Sequence, residues 1–190
     1  MSELDLKHSK CLVDRKEGWA GTGDWSLFSM PIDTIHAAAA QWKEQLADVQ
    51  RPWLCWNIND RWCVLQQKLI LEIGWTPVIG SDPRVKSCTV LPGAVRVDFN
   101  KQFGLPVMWP HFPLEFAFLF APRLAFWHSD LLCRIDKLKK LAAIFERLRD
   151  GEIAAVLSKG GLRNVVSFKK HRYWELVCCI TQAASEDQFR

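Results

Sequence analysis

Hydrophobic rhythm changes several times along the chain, and each change marks an element. From Pro31 onward Ile32, Ile35, Ala39, Trp42, Leu46 and Val49 recur at steps of three and four, which predicts an amphipathic helix opened by Pro31 and closed at Arg51-Pro52. Trp53-Leu-Cys-Trp-Asn-Ile58 is an apolar run without helical period that ends in the turn formers Asn59-Asp60. It predicts a strand buried on both faces. Trp62, Leu65, Leu69 and Ile73 return to helical spacing, and Gly74 stands where a helix C-terminus takes glycine. Thr76-Pro-Val-Ile-Gly80 follows as a second strand. Strand, helix and strand within about thirty residues predict a βαβ unit, which builds parallel sheet covered by helices.

Further on, Ala94-Val-Arg-Val-Asp-Phe99 alternates apolar and polar side chains and predicts a half-exposed strand. The aromatic stretch Phe112 to Phe120 reads as a short buried helix. Arg123-Leu-Ala-Phe-Trp127 is apolar and breaks off into His128-Ser129-Asp130, a strand presenting polar side chains at its end. Ile135, Leu138, Leu141, Ile144, Phe145 and Leu148 predict a helix stopped by Asp150-Gly151, and Glu152 to Leu157 a strand. Residues 158–172 form a basic loop, and Trp174 to Gln188 is expected to close the chain as a helix with Leu176, Cys179, Ile180 and Ala183 inward. The expected architecture is α/β: an open, mostly parallel, Rossmann-like sheet with helices on both faces. Residues 51–190 make its single domain, and residues 1–50 an extension with one amphipathic helix packed on it.

Composition sharpens this picture. With 190 residues, 49% of them apolar, the chain can bury one sizeable core but not two. Ten Trp and eleven Phe against a single Tyr exclude a disordered, collagen-like or coiled-coil chain. Trp42, Trp53, Trp62 and Trp127 fall at expected core positions, whereas Trp56, Trp109 and Trp174 fall near strand ends, where a ring can pack on a sugar. The net charge of +4 comes from 25 basic and 21 acidic residues spread along the chain. An anionic partner is compatible with this, but no nucleic-acid-binding motif occurs and nucleic acid is not expected. Seven Cys without a CxxC pair, and an N-terminus without an apolar signal region, predict a cytoplasmic protein with reduced thiols. The most apolar stretch, Leu105 to Leu132, carries charges and several prolines, so no membrane span is expected.

Candidate chemistry sits at the strand ends. Asp130, at the tip of a buried strand, could anchor a divalent cation and through it a diphosphate, or could cap the following helix. Asn59-Asp60 and Ser81-Asp82-Pro83-Arg84 follow the two strands of the βαβ unit. Asp82 could accept hydrogen bonds from a base or ribose and Arg84 could meet a phosphate, or the segment is an Asp-Pro turn. Glu175 beside Trp174 could act as a general base for a sugar hydroxyl, or simply complement a helix dipole. Neither a dinucleotide-binding glycine fingerprint nor a P-loop is present, which excludes the corresponding dehydrogenases and NTPases. The five His are scattered, the GxSxG elbow is missing, and Cys178 and Cys179 lie in an apolar run where thiols are inert.

Taken in order, the βαβ start, the SDPR tip, the VRVDFN strand, the LAFWHSD strand end and the late HRYWELVCCITQAASEDQF segment resemble the GT-A type of nucleotide-diphospho-sugar transferase. The resemblance spans residues 51–190. It implies a glycosyltransferase that binds a nucleotide-sugar donor with Mn²⁺ or Mg²⁺ and passes the sugar to an unknown acceptor. In that family a strand ends in a DxD acid motif, and the matching triplet here is His128-Ser129-Asp130. By the resemblance, Asp130 and His128 hold the metal, Asp82 faces the nucleoside, Asp60, Arg84, Asp98 and Trp174 complete the substrate contacts, and Glu175 is the catalytic base. One carboxylate of the DxD pair is replaced by His128, and the chain stops soon after the last expected helix. Both departures point to an alternative: a non-catalytic binding module, either a degenerate transferase fold or a basic interaction domain acting through residues 158–172.

Overall fold

A computed structural model describes residues 32–81, 85–99, 101, 117, 121–157 and 173–187. In chain order the elements are α1 (Ile32–Gln45), β1 (Pro52–Asn57), α2 (Asp60–Glu72), β2 (Thr76–Ser81), β3 (Val95–Arg96), β4 (Arg123–Trp127), α3 (Ile135–Glu146), β5 (Ile153–Leu157), β6 (Tyr173–Thr181) and α4 (Gln182–Asp187). The strands form one six-stranded sheet ordered β3-β2-β1-β4-β6-β5. β1 is parallel to β2 and β4, and β2 to β3, whereas β6 runs against both β4 and β5. The fold is therefore α/β with a mixed sheet.

The βαβ unit forms as its residues dictate. Pro52 opens β1, a place where a missing N–H costs the ladder little. Asn59 caps α2 by accepting a hydrogen bond from the Trp62 N–H at 3.4 Å. Past the end of the helix Gly74 adopts φ +78°, a left-handed conformation that side chains resist. The Thr76 N–H then reaches the Arg51 carbonyl at 2.9 Å, and β2 lies down beside β1 from Pro52↔Thr76 to Asn57↔Ser81.

Each central strand is buried on both faces. Leu54, Trp56, Leu124 and Phe126 point toward Ala38, Ala39 and Trp42 of α1 and Leu46 just past its end. Trp53, Cys55, Ala125 and Trp127 point the other way, toward Cys63 and Ile70 of α2 and Leu138, Ala142 and Phe145 of α3. Trp53 is the hub of this second layer, with ring centroids 5.2 Å from Trp75, 5.4 Å from Phe145 and 5.9 Å from Trp127. On the α1 side Trp56 lies over Gly80, where an added Cβ would sit 2.4 Å from the indole ring. Burial on both sides is why these strands read as continuous apolar runs.

Four sequence expectations change. The late segment is not a helix from 174 to 188: it forms β6, followed by the short α4. Its apolar spacing fits both periods, and pairing with β4 and β5 decides, sending Cys178 to one core layer and Cys179 to the other. The strand expected over 94–99 shrinks to Val95–Arg96, although Val97 still donates to the Ile79 carbonyl at 2.9 Å and both Val97 and Phe99 are buried. The buried stripe of α2 is Cys63, Gln66, Gln67 and Ile70, so Trp62 and Leu65 face outward rather than into the core. Trp56 belongs to the core and cannot pack on a sugar, and Trp75 is buried against Trp53 and Phe145. Expectations for residues 1–30, for the 112–120 stretch apart from the buried Ala117, for Trp109, and for the basic loop 158–172 lie outside the described residues.

Candidate functional site

Sheet topology selects one edge. From β1 the chain winds through α2 to β2 on one side, and β4 lies on the other side of β1. Between β1 and β4 the winding reverses, and at such switch points the carboxyl ends of the strands diverge to leave a crevice. β1 ends there at Asn57, β2 at Ser81, and β4 runs out into His128-Ser129-Asp130. Because β6 is reversed, its beginning reaches the same edge: Val177 pairs with Trp127, so residues 173–176 continue past the end of β4. Trp174 and Glu175 thus open a strand, and Trp174 pairs with Val156 of β5. Asp98 follows β3 two residues beyond the Ile79↔Arg96 pair, level with Ser81. At roughly 4.8 Å per strand, Asp98 and Asp130 stand about 14 Å apart, so only a long ligand could meet both. Asp82 and Arg84 lie outside the described residues.

The tip of β4 is a closed polar turn. The Nδ1 atom of His128 and the Oδ1 atom of Asp130 are 2.5 Å apart, and the Asp130 side chain is 70% exposed. Asp130 does not cap the following helix: α3 starts at Ile135 behind Arg134, which makes no side-chain cap bond. The turn closes through Leu131 N–H to the His128 carbonyl at 3.1 Å, with Ser129 buried beneath it. Gln66 holds it from the helix layer, its Nε2 donating to the carbonyls of both His128 and Leu131 at 2.8 Å.

A matching bracket holds the segment after β2. Buried Asn57 donates from Nδ2 to the Ser87 carbonyl at 3.0 Å and to Ser81 Oγ at 3.4 Å. Gln67 donates to the Thr89 carbonyl at 2.8 Å and accepts from the Leu91 N–H at 2.9 Å. Asp60 accepts from the Thr89 N–H at 2.6 Å and from its hydroxyl at 2.7 Å. The Thr89 amide first, then the Thr89 and Ser87 hydroxyls, hold the Asp60 carboxyl below the usual carboxylate range. Thus both oxygens of Asp60 serve to tie a loop to α2. Among the described residues, the side-chain carbonyls of Asn57 and Gln66 find no donor, which leaves acceptor capacity at the switch point.

Sequence reading passed over Asn57, Gln66, Gln67 and Thr89. A signal was available: Asp60, Cys63, Gln66, Gln67 and Ile70 recur at helical steps as regularly as the Trp62 stripe does. Preferring the more apolar stripe hid it.

Among the described residues no three His, Cys, Asp or Glu gather as a metal-holding group. His128 and Asp130 supply one imidazole and one carboxylate. That fits a hard cation only if the substrate's oxygens complete its shell, as they do where magnesium sits on phosphates. The six cysteines of the described residues are all free, and burial pushes the Cys63 and Cys179 thiols up to about 12 and the Cys55 thiol well above its ordinary value.

Fold and edge together define an α/β protein with a mixed sheet and polar side chains gathered at its switch point. No family model matches the chain, and no curated protein matches it. No helix among the described residues is long and apolar enough to cross a membrane.

Proposed function

We propose that the protein is a GT-A-type glycosyltransferase of the cytoplasm, whose Rossmann-like, mostly parallel sheet binds a nucleotide-sugar and a divalent cation along its carboxyl edge. The observation that carries this reading is convergence: the switch point, the His128–Asp130 turn and residues 173–176 meet at one edge. In this mechanism Asp130 and His128 would hold the cation beside the donor diphosphate, and bound Mn²⁺ or Mg²⁺ would supply charge neutralisation for the departing nucleotide. Asp82 and Asp98 orient the nucleoside end and Arg84 meets phosphate oxygens. Glu175 takes the proton of the acceptor hydroxyl, with Trp174 against the sugar. Asp60 acts indirectly, holding the 87–91 segment in place.

Thermal unfolding with UDP- and GDP-type nucleotides and Mn²⁺ tests this. Stabilisation by one of them that vanishes in Asp130→Ala supports the reading, and a flat response across a broad nucleotide panel rejects it.

A second reading, a non-catalytic binding module, draws on one observation. Asp130 is the sole carboxylate of the turn, and one of its oxygens is already engaged by His128. This reading expects binding of a protein or nucleic-acid partner that falls steeply with salt and is indifferent to Asp130→Ala.

A further inference from the structure

Cys63 on α2 and Cys88 in the segment after β2 share the core layer built around Trp53. Cys63 is buried within it, whereas Cys88 packs against it and stays partly exposed. The backbone on both sides of Cys88 is pinned. The Ser87 carbonyl receives the Asn57 amide at 3.0 Å, the Thr89 N–H reaches Asp60 at 2.6 Å, and the Thr89 carbonyl receives the Gln67 amide at 2.8 Å. Asp60 and Gln67 stand three residues before and four residues after Cys63, so they flank it on one side of the helix. Cys88 is thereby clamped at the level of Cys63. One nitrogen joins the two places, because Gln67 Nε2 also lies 3.6 Å from Cys63 Sγ.

The two thiols are unequal. Burial raises the Cys63 thiol to about 12 and the Gln67 amide lowers it, with Cys88 close enough to raise it further. Cys88 is the member that solvent reaches, so an oxidant meets it first. Cys55, the other thiol of this neighbourhood, is fully buried and turned to the Trp53 carbonyl at 3.9 Å. In a reducing compartment the disulfides that do form are mainly transient ones that sense oxidants.

We propose that Cys63 and Cys88 are an oxidant-sensing pair that closes to a disulfide and locks the 87–91 segment onto α2. The oxidant is a peroxide. The Cys88 thiolate attacks a peroxide oxygen and displaces hydroxide, which leaves a sulfenic acid. The Cys63 sulfur then attacks the Cys88 sulfur, and its proton departs with the sulfenic oxygen as water while the S–S bond forms. Two thiols and one hydrogen peroxide become one disulfide and two waters, the sulfurs giving up two electrons. The link closes a loop of about 25 residues and makes covalent what Asp60 and Gln67 hold by hydrogen bonds. It does not depend on nucleotide-sugar binding.

Treating the reduced full chain with one equivalent of hydrogen peroxide tests the pair. The intact mass should fall by two hydrogens, and a digest without reductant should join the Cys63 peptide to the Cys88 peptide. The melting temperature should rise by about 5 °C or more, and dithiothreitol should reverse all three changes. Cys88→Ser, shown to be folded by its melting curve in reductant, should lose the mass change and the rise together. Cys63→Ala should stop at the sulfenic acid on Cys88, which dimedone captures. Cys133→Ser, at another partly exposed thiol, should behave as the parent chain does. Four results would overturn the proposal: no reaction, oxygen added at Cys88 without linkage to Cys63, a disulfide through any other pair, or a Cys63–Cys88 link that leaves the melting temperature unmoved.

Discussion

The two halves of α2 lie on the same sheet and are held there by different forces. The carboxyl half sets Ile70 into a layer of rings, Trp53, Trp75, Trp127 and Phe145, which cohere by shape and by apolar area removed from water. The amino-terminal part, through Gln67, carries Asp60, Gln66 and Gln67, whose hydrogen bonds fasten the 87–91 segment on one side and the 128–131 turn on the other. Rings hold the helix down, while the amides and the carboxylate fix where two loops stand beside the crevice. Packing is non-directional and distributed over many atoms, whereas each hydrogen bond has one partner at one angle. The dry half should therefore govern whether the protein folds, and the polar half how its candidate site is shaped.

Substitutions can break or sharpen that contrast. The largest effect is expected at the hub of the dry half: Trp53→Ala should cost about 3–5 kcal/mol in denaturant unfolding, because the neighbouring rings cannot all collapse into the space. A smaller loss measured there would mean that the stability of the sheet is set elsewhere. Next comes Gly80→Ala on the opposite face, where the new methyl meets the Trp56 ring at 2.4 Å in a core closed by Phe99. A loss of roughly 1–3 kcal/mol is expected, read as a lower midpoint with an unchanged denaturant slope.

In the polar half, Gln66→Met keeps the volume but strands the Leu131 carbonyl and leaves the His128 carbonyl only the Leu131 N–H, at a cost of about 1–3 kcal/mol. Its diagnostic signature is local. Amide exchange should speed up in residues 128–131 well before the ring layer responds, and uniform acceleration would erase the distinction between the halves.

Asp60 adds a pH signature. Its folded-state pKa is depressed, so its contribution is complete above the value of the unfolded carboxyl, about 3.9, and drains away as pH falls through the folded one. Wild-type stability should therefore drop on acidification more steeply than that of Asp60→Asn, and parallel pH profiles would show that the Thr89 bonds do not favour the ionised form. The smallest effect belongs to the outer side of the same helix: Leu65→Ser should shift stability by no more than about 0.5 kcal/mol, since that side chain is already exposed.

The aromatic layer was legible in the sequence and the polar bracket was not, for the same reason. Trp53-Leu-Cys-Trp and Leu-Ala-Phe-Trp announce doubly buried strands without further context, and the run from Pro52 to Ser81 spells out its βαβ unit through Asn59, Gly74 and the change of period. The helix from Asp60 to Glu72, however, offers two stripes. The chain alone favours Trp62, Leu65, Leu69 and Ile73, because reading by hydrophobicity assigns buried glutamines to water. Gln66 and Gln67 are buried since Thr89, His128 and Leu131 come from distant parts of the chain to satisfy them.

Residues 173–181 make the same point for topology. Leu176, Cys179, Ile180 and Ala183 satisfy a helical period, while Val177, Cys178 and Cys179 satisfy an alternating one in a strand covered on both sides. Local propensity cannot separate the two, and only the open edges of β4 and β5 could. By itself the sequence determined an α/β core, the βαβ unit, the strand ending at His128-Ser129-Asp130 and the positions of most strands and helices, because burial and turn chemistry are written locally. Tertiary structure decided which side of α2 turns inward, the reversal of β6 that makes the sheet mixed and brings residues 173–176 to the carboxyl edge, and the clamping of the 128–131 turn by Gln66. Each of those depends on partners that sequence distance conceals and that only the closed sheet brings within hydrogen-bonding reach.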